Sequence, residues 1–342
     1  RGLATVGMLM MSRGGSHIIA RGKMFVQRAR ELAQARDEPY LAGFTTIMSG
    51  IGELTLGNWD AAVTQIDSGL GVLQDRCAGV VWECSIAQMG AMRAQLTMGQ
   101  LEGVAERAHT LQREAEAHGD RYAEVWASLF SGLPLLAGDD PARTRARVHQ
   151  AMGRWSRDGF HFQHMLALVL EVYCDLYEGH GGEANKRIEA AWPTIESSKI
   201  LRWQFLRVFG LHVRAIAAIS AARETPAEAP KLLEQASSYA RLLEEQSGSS
   251  RRDATAVAGL IRAGVAAARG RRGAALAGLD RAEKEFLAAK MHLHAACTAR
   301  RMGELIGGSD GRAMIDRADR AMACQGITRP AKWVDVYTAS CD

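Results

Sequence analysis

The chain is poor in aromatic residues, which make up 6% of 342 positions, and it holds only 7 prolines. That scarcity argues against a β-sandwich or barrel, whose strands draw on Val, Thr, Tyr and Trp. It also lacks a surplus of one charge: the formal net charge is +4, with 23% charged residues. A strongly basic nucleic-acid binder is therefore not expected, although local patches remain open. Six cysteines, at 77, 84, 174, 297, 324 and 341, form no Cys-x-x-Cys pair and no zinc-finger run with histidine. They read as reduced, cytoplasmic thiols used as small buried hydrophobes, since a disulfide scaffold is smaller and denser in cysteine. No uncharged apolar stretch reaches about 18 residues, so no membrane partner is expected. Arg1 to Gly15 contains a short apolar run, Leu3 to Met11, that reads as half of a helix and hence as a fragment boundary.

What the chain does hold is 47% hydrophobic residues and 35 glycines, dealt out with a period. Turn signals fall at Gly14-Gly15, Gly57-Asn58, Gly99-Gln100, Gly138-Asp139-Asp140, Gly179 to Gly182, Arg223 to Pro226, Gly270 to Gly273 and Gly307-Gly308. Between them lie breaks at Ala35 to Pro39, Asp75 to Gly79, His118 to Asp120, Arg157 to Gly159, Ser197-Ser198 and Ser247 to Ser250. Each unit is helix, glycine turn, helix, break, and repeats about every forty residues, longer than the standard tetratricopeptide. Leu166 to Tyr177 is apolar nearly all round and predicts an inner helix, whereas Ala62, Ile66, Leu70 and Leu73 make one stripe and predict an outer one. The expectation is an all-α, right-handed α-solenoid, a tetratricopeptide-like superhelix of about eight helical hairpins, elongated in solution. Residues 1–325 form the repeat array and 326–342 a C-terminal capping tail. Gly50 and Ala62 would let the second hairpin's helices approach closely, with Gly57 closing its turn.

Several stretches carry a family resemblance: RCAGVVWE at 76–83, REAEAHGDRYA at 113–123, LAGDDPARTRARVHQAMGRWSRDGFHFQHMLAL at 136–168, AAWPTIE at 190–196 and AMACQGITRPAKW at 321–333. In order, they resemble the C-terminal helical region of large bacterial signalling proteins, in which a serine/threonine kinase domain and an AAA-type signal-transduction ATPase precede a tetratricopeptide-like array. The resemblance implies a regulatory scaffold or sensor whose partners are other proteins or the parent's own ATPase and kinase domains. ATP binding would belong upstream. This chain has no Gly-x-x-x-x-Gly-Lys-Ser/Thr, no His-Arg-Asp loop and no Asp-Phe-Gly, so neither catalysis nor a cofactor is expected of it. Two rivals stand beside this reading: an all-α enzyme of the α/α-toroid type, and a tetratricopeptide-like regulator of transcription, which would require a helix-turn-helix.

Candidate sites are few. Gly138-Asp139-Asp140-Pro141 reads as a turn and helix cap rather than an acid pair. His161 and His164, three apart, find no third metal ligand nearby, and His292 and His294 face different sides of a helix. Arg251, Arg252, Arg269, Arg271 and Arg272 read as a solvated basic face. The most suggestive pattern is a row near the start of four successive inner helices: Tyr40, Trp82, Tyr122 and His164, with Glu83, Glu124 and Gln163 as polar companions. In a solenoid such a row lines one edge and suits partner binding, or else inter-repeat packing. Trp82 is expected in the core and His164 at the surface.

Overall fold

The computed structural model describes residues 1–247 and 251–339. The last part of the expected break at Ser247 to Ser250 and Cys341 lie outside the described residues. Helix is the only regular structure among them, and it is laid down as eight successive hairpins. They are α1 (Gly2–Arg13) with α2 (Ser16–Gln34), α3 (Pro39–Leu56) with α4 (Trp59–Arg76), and α5 (Val81–Met98) with α6 (Leu101–His118). In the fourth, the inner helix is broken into α7 (Arg121–Phe130) and α8 (Gly132–Ala137) before α9 (Pro141–Gly153). Then follow α10 (Phe162–Tyr177) with α11 (Gly181–Ser197), α12 (Gln204–Glu224) with α13 (Ala229–Ser247), α14 (Arg252–Ala268) with α15 (Arg272–Ala288), and α16 (His292–Ile306) with α17 (Gly308–Ala323). A short α18 (Pro330–Tyr337) ends the described chain. Apart from α18, each helix packs chiefly on its sequence neighbours, which is the arrangement of an all-α solenoid.

Among the described residues the expected turns and breaks fall at or between helix ends, and their chemistry explains why. Gly57 adopts φ 85° at the end of α3, a left-handed conformation that a side chain would strain. Asp140 accepts a hydrogen bond from the Arg143 amide at 2.9 Å, with Pro141 in the first helical turn, so this aspartate is a cap. A Cβ on Gly50 would lie 2.7 Å from Ile66 Cγ1 and 2.9 Å from the Ala62 carbonyl oxygen, so α3 and α4 can be this close only through glycine. Inner and outer helices separate by burial: α12 buries fourteen residues, whereas its outer neighbour α11 buries five, spaced three to four apart. Of the described helices, α12 alone is long and apolar enough by composition to cross a membrane, yet 78% of its apolar window is buried inside the protein.

Period alone did not reveal how tightly the array winds. Arg251 Nη1 donates to the Thr55 carbonyl at 2.8 Å, the Thr328 amide donates to the Ala137 carbonyl at 2.9 Å, and Arg329 reaches Asp139 at 3.2 Å. These partners lie 196, 191 and 190 residues apart, so the superhelix returns upon itself after about five units. The accessible surface is 14867 Å², within about a tenth of what a compact monomer of this mass exposes. The expected elongated particle is thereby corrected: successive superhelical turns touch.

The C-terminal segment is also more than an outer cap. Trp333 and Val334 are fully buried, and α18 lies against α10, α12 and α16, inside the superhelix. The thiols divide: Cys174 and Cys297 are buried as expected, Cys77 and Cys84 are half-buried, and Cys324 is exposed because it follows the last turn of an outer helix.

Candidate functional site

The inner helices begin in register, and this puts Tyr40, Trp82 and Tyr122 at the second residue of α3, α5 and α7, with His164 at the third of α10. Their surroundings differ. The Tyr40 hydroxyl donates to Glu83 Oε1 at 2.7 Å, and its ring stacks on Phe44 beneath the Arg1 guanidinium. Burial first, then Glu83, pushes the Tyr40 phenol up to about 12. Tyr40 and Glu83 thus hold each other across two hairpins. Tyr122 packs between Trp126 and Trp155, while Glu124 pairs with Arg154 at 2.9 Å. His164 accepts from the His161 amide through Nδ1 at 3.1 Å, closing the start of α10, and its imidazole is held below its usual value by burial and then by His161.

Two expectations about this row change. Gln163, proposed as a polar companion at the edge, is 3% exposed because it faces inward on α10. Trp82, expected in the core, is 56% exposed: its neighbours on α5 do not close over it. Trp82 and Tyr122 come together on one cavity, whereas Tyr40 and His164 do not reach it.

That cavity is a cleft of about 320 Å³ in the lumen, formed where α1, α3, α5, α7, α10 and α12 converge. Its walls are methionine and aromatic rings, among them Met48, Met89, Met165, Trp126, Phe162 and Phe209. Arg93 supplies its one formal charge, and Arg93 also borders a smaller cavity of about 60 Å³ on the side of Trp59, His212 and His294. The guanidinium lies 4.1 Å from the centre of the Phe209 ring and 5.7 Å from that of Phe205. Its Nε is sealed from solvent with no hydrogen-bond partner. Burial holds Arg93 below its usual value, against the opposing influence of Tyr173, Tyr337 and Asp253. Asp253 is already engaged, accepting from Arg251 Nε at 2.8 Å in an ion pair buried on both sides.

Across the smaller cavity the lumen is filled by α18. Tyr337 stacks on His294 at 4.2 Å between ring centres, and the His212 Nε2–H donates to the Tyr337 carbonyl at 2.9 Å. Burial lowers His212 to about 4, so it is neutral. Asp139 anchors α18 from outside, accepting from the Tyr177 hydroxyl at 2.8 Å and pairing with Arg329 and Lys332.

The remaining candidates disperse. The basic cluster is no single solvated face: Arg251 is buried in its ion pair, Arg272 donates to the Leu305 carbonyl at 2.8 Å, and Arg269 approaches Glu234 at 3.7 Å. His161 takes a hydrogen bond from Trp155 Nε1 at 3.2 Å, and among the described residues no group of three His, Cys, Asp or Glu is arranged to hold a metal. His292 is exposed while His294 is buried, as their spacing requires. Sequence reasoning overlooked Arg93, yet a signal was present: it is the only charge between Glu83 and Glu102, on an inner helix. The sequence matches no protein-family model and no curated protein.

Proposed function

We propose that this chain is a non-catalytic binding module, a scaffold or sensor arm whose lumen takes up a ligand and relays its occupancy to attached partners. The cleft carries this reading. An apolar cavity of this size, left open beside a half-lumen that the chain fills with its own helix, supports a site kept for another molecule. An exposed Trp82 at its rim and Met48, Met89 and Met165 in its walls supply adaptable apolar contacts. The resemblance of 136–168 and 321–333 to the helical region of bacterial kinases with an AAA-type ATPase supports those domains as the recipients of the signal. Phosphoryl transfer would then be theirs, and this arm would bias it.

A fluorescent apolar dye tests the reading. The native chain should bind it saturably at one site, and Met89→Trp, which fills the cleft, should abolish that site while the helical signal in circular dichroism is retained. Undiminished dye binding by Met89→Trp would remove the cleft as the functional site.

A further inference from the structure

The buried polar atoms without partners are not scattered evenly. Arg93 Nε, Trp59 Nε1, Trp126 Nε1 and His294 Nδ1 all border the two cavities that meet at Arg93. The first three are hydrogen-bond donors, and in the cleft the side-chain oxygens that could accept are only the Thr5 and Tyr122 hydroxyls, so N–H groups outnumber acceptors there. Arg93 is half-buried with its Nε sealed, and a cation so far withdrawn from water without a counter-charge is one that proteins normally pair. Here the one carboxylate whose charge acts on Arg93, Asp253, is consumed by Arg251. The guanidinium lies over the Phe209 ring, a contact that uses none of its N–H groups and so leaves them to seek an acceptor.

The remaining walls restrict what could bring that acceptor. A peptide carries an amide donor and acceptor at every residue, and each would need a partner when buried. The cleft offers almost none: apart from Arg93 its polar groups are the Thr5 hydroxyl and the polar tips of Tyr122, Trp82, Trp126 and Trp203. One cation also balances one negative charge, which favours a monoanion over a phosphate. Resting on the cleft as the binding site, we propose that the lumen binds a small amphipathic carboxylate of the acyl-chain type. Its head sits on the Arg93 guanidinium and its chain lies along the methionine and aromatic walls between α5, α7, α10 and α12.

The experiment titrates the full chain with dodecanoate and dodecyltrimethylammonium below their micelle concentrations and with dodecanol below its solubility limit. Tryptophan fluorescence provides the signal, since Trp82, Trp126 and Trp203 line the cleft. Dodecanoate should bind at least about tenfold more tightly than dodecanol, equivalent to about 1.4 kcal/mol, and the cation should bind weakest. Arg93→Met keeps the stem against Phe209 and removes the charge, so it should bind acid and alcohol alike, and Arg93→Lys should restore part of the preference. Equal binding of acid and alcohol by the native chain would overturn the carboxylate assignment while leaving the cleft a binding site. Undiminished discrimination by Arg93→Met would overturn it too. No binding of any of the three would overturn the acyl-chain assignment, while the dye titration decides the cleft separately.

Discussion

The lumen has two halves built from the same repeat and filled in opposite ways. Between α10, α12 and α16 the space is occupied by α18, where Trp333 is fully buried and Tyr337 stacks on His294. Between α3, α5, α7 and α10 the equivalent space is left as a cleft, with Trp82 standing 56% exposed at its rim. Stacked hairpins thus define a channel but do not decide whether it is packed. Aromatic side chains serve both ends: in one half they complete a core, and in the other they present a surface. The boundary between the halves is marked by Arg93 on one side and by the neutral pair His212 and His294 on the other.

If the filled half is a true core, Trp333→Ala should destabilise the protein more than any other single substitution in the lumen. It would leave a cavity the size of an indole, and a loss of about 3–5 kcal/mol is expected from chemical denaturation followed by circular dichroism. A change of less than about 1 kcal/mol would mean that α18 rests in the lumen without supporting it, and the contrast between the halves would disappear.

Acid should also attack the filled half first. His212 is buried and lowered to about 4, while the unfolded chain binds the same proton near 6.5. Between those values the unfolded state takes up a proton that the folded state refuses, so stability falls as pH falls through the window and levels off below it. For His212 alone the loss is on the order of 3 kcal/mol, and His294, also held well below its usual value by burial, adds to it. Denaturation midpoints at pH 7 and 4.5 would measure this. His212→Gln, which retains a donor for the Tyr337 carbonyl, should show a shallower dependence, and an unchanged slope would relocate the acid sensitivity.

Openness in the other half does not imply loose packing within its hairpins. A Cβ on Gly50 would press on Ile66 and the Ala62 carbonyl, and Gly50→Ala should therefore cost about 1–3 kcal/mol although it adds one methyl group. A neutral result would show that α3 and α4 can slide apart.

How much of this could be read from the residues follows from which interactions are local. Gly57, Gly99 and Asp140-Pro141 announce their turns because left-handed backbone and helix caps are set by neighbouring residues. The register of Tyr40, Trp82 and Tyr122 follows from the same period. The contacts of Arg251 with Thr55, Thr328 with Ala137 and Arg329 with Asp139 follow from the superhelical pitch, a sum of small rotations that no single motif encodes. For that reason Arg251 read as a solvated charge and proved to be a buried one. The cleft was hidden in the same way, since Arg93 and Phe209 meet only after several hairpins have stacked.

Trp82 is where the two halves are most directly opposed, and the smallest effect is expected there. A tryptophan at a helix start in a solenoid ordinarily fills the seam between units, and as a core residue its loss would cost about as much as that of Trp333. Its exposure predicts otherwise: Trp82→Ala should change stability by no more than about 0.5 kcal/mol, because little apolar contact is lost and no buried partner is orphaned. The same substitution should weaken dye or amphiphile binding, since a rim aromatic contributes to holding a ligand more than to folding. Melting curves and titrations on this one variant separate the two roles. Strong destabilisation would place Trp82 with Trp333 in a single continuous core, and the cleft would then be a packing gap rather than a site.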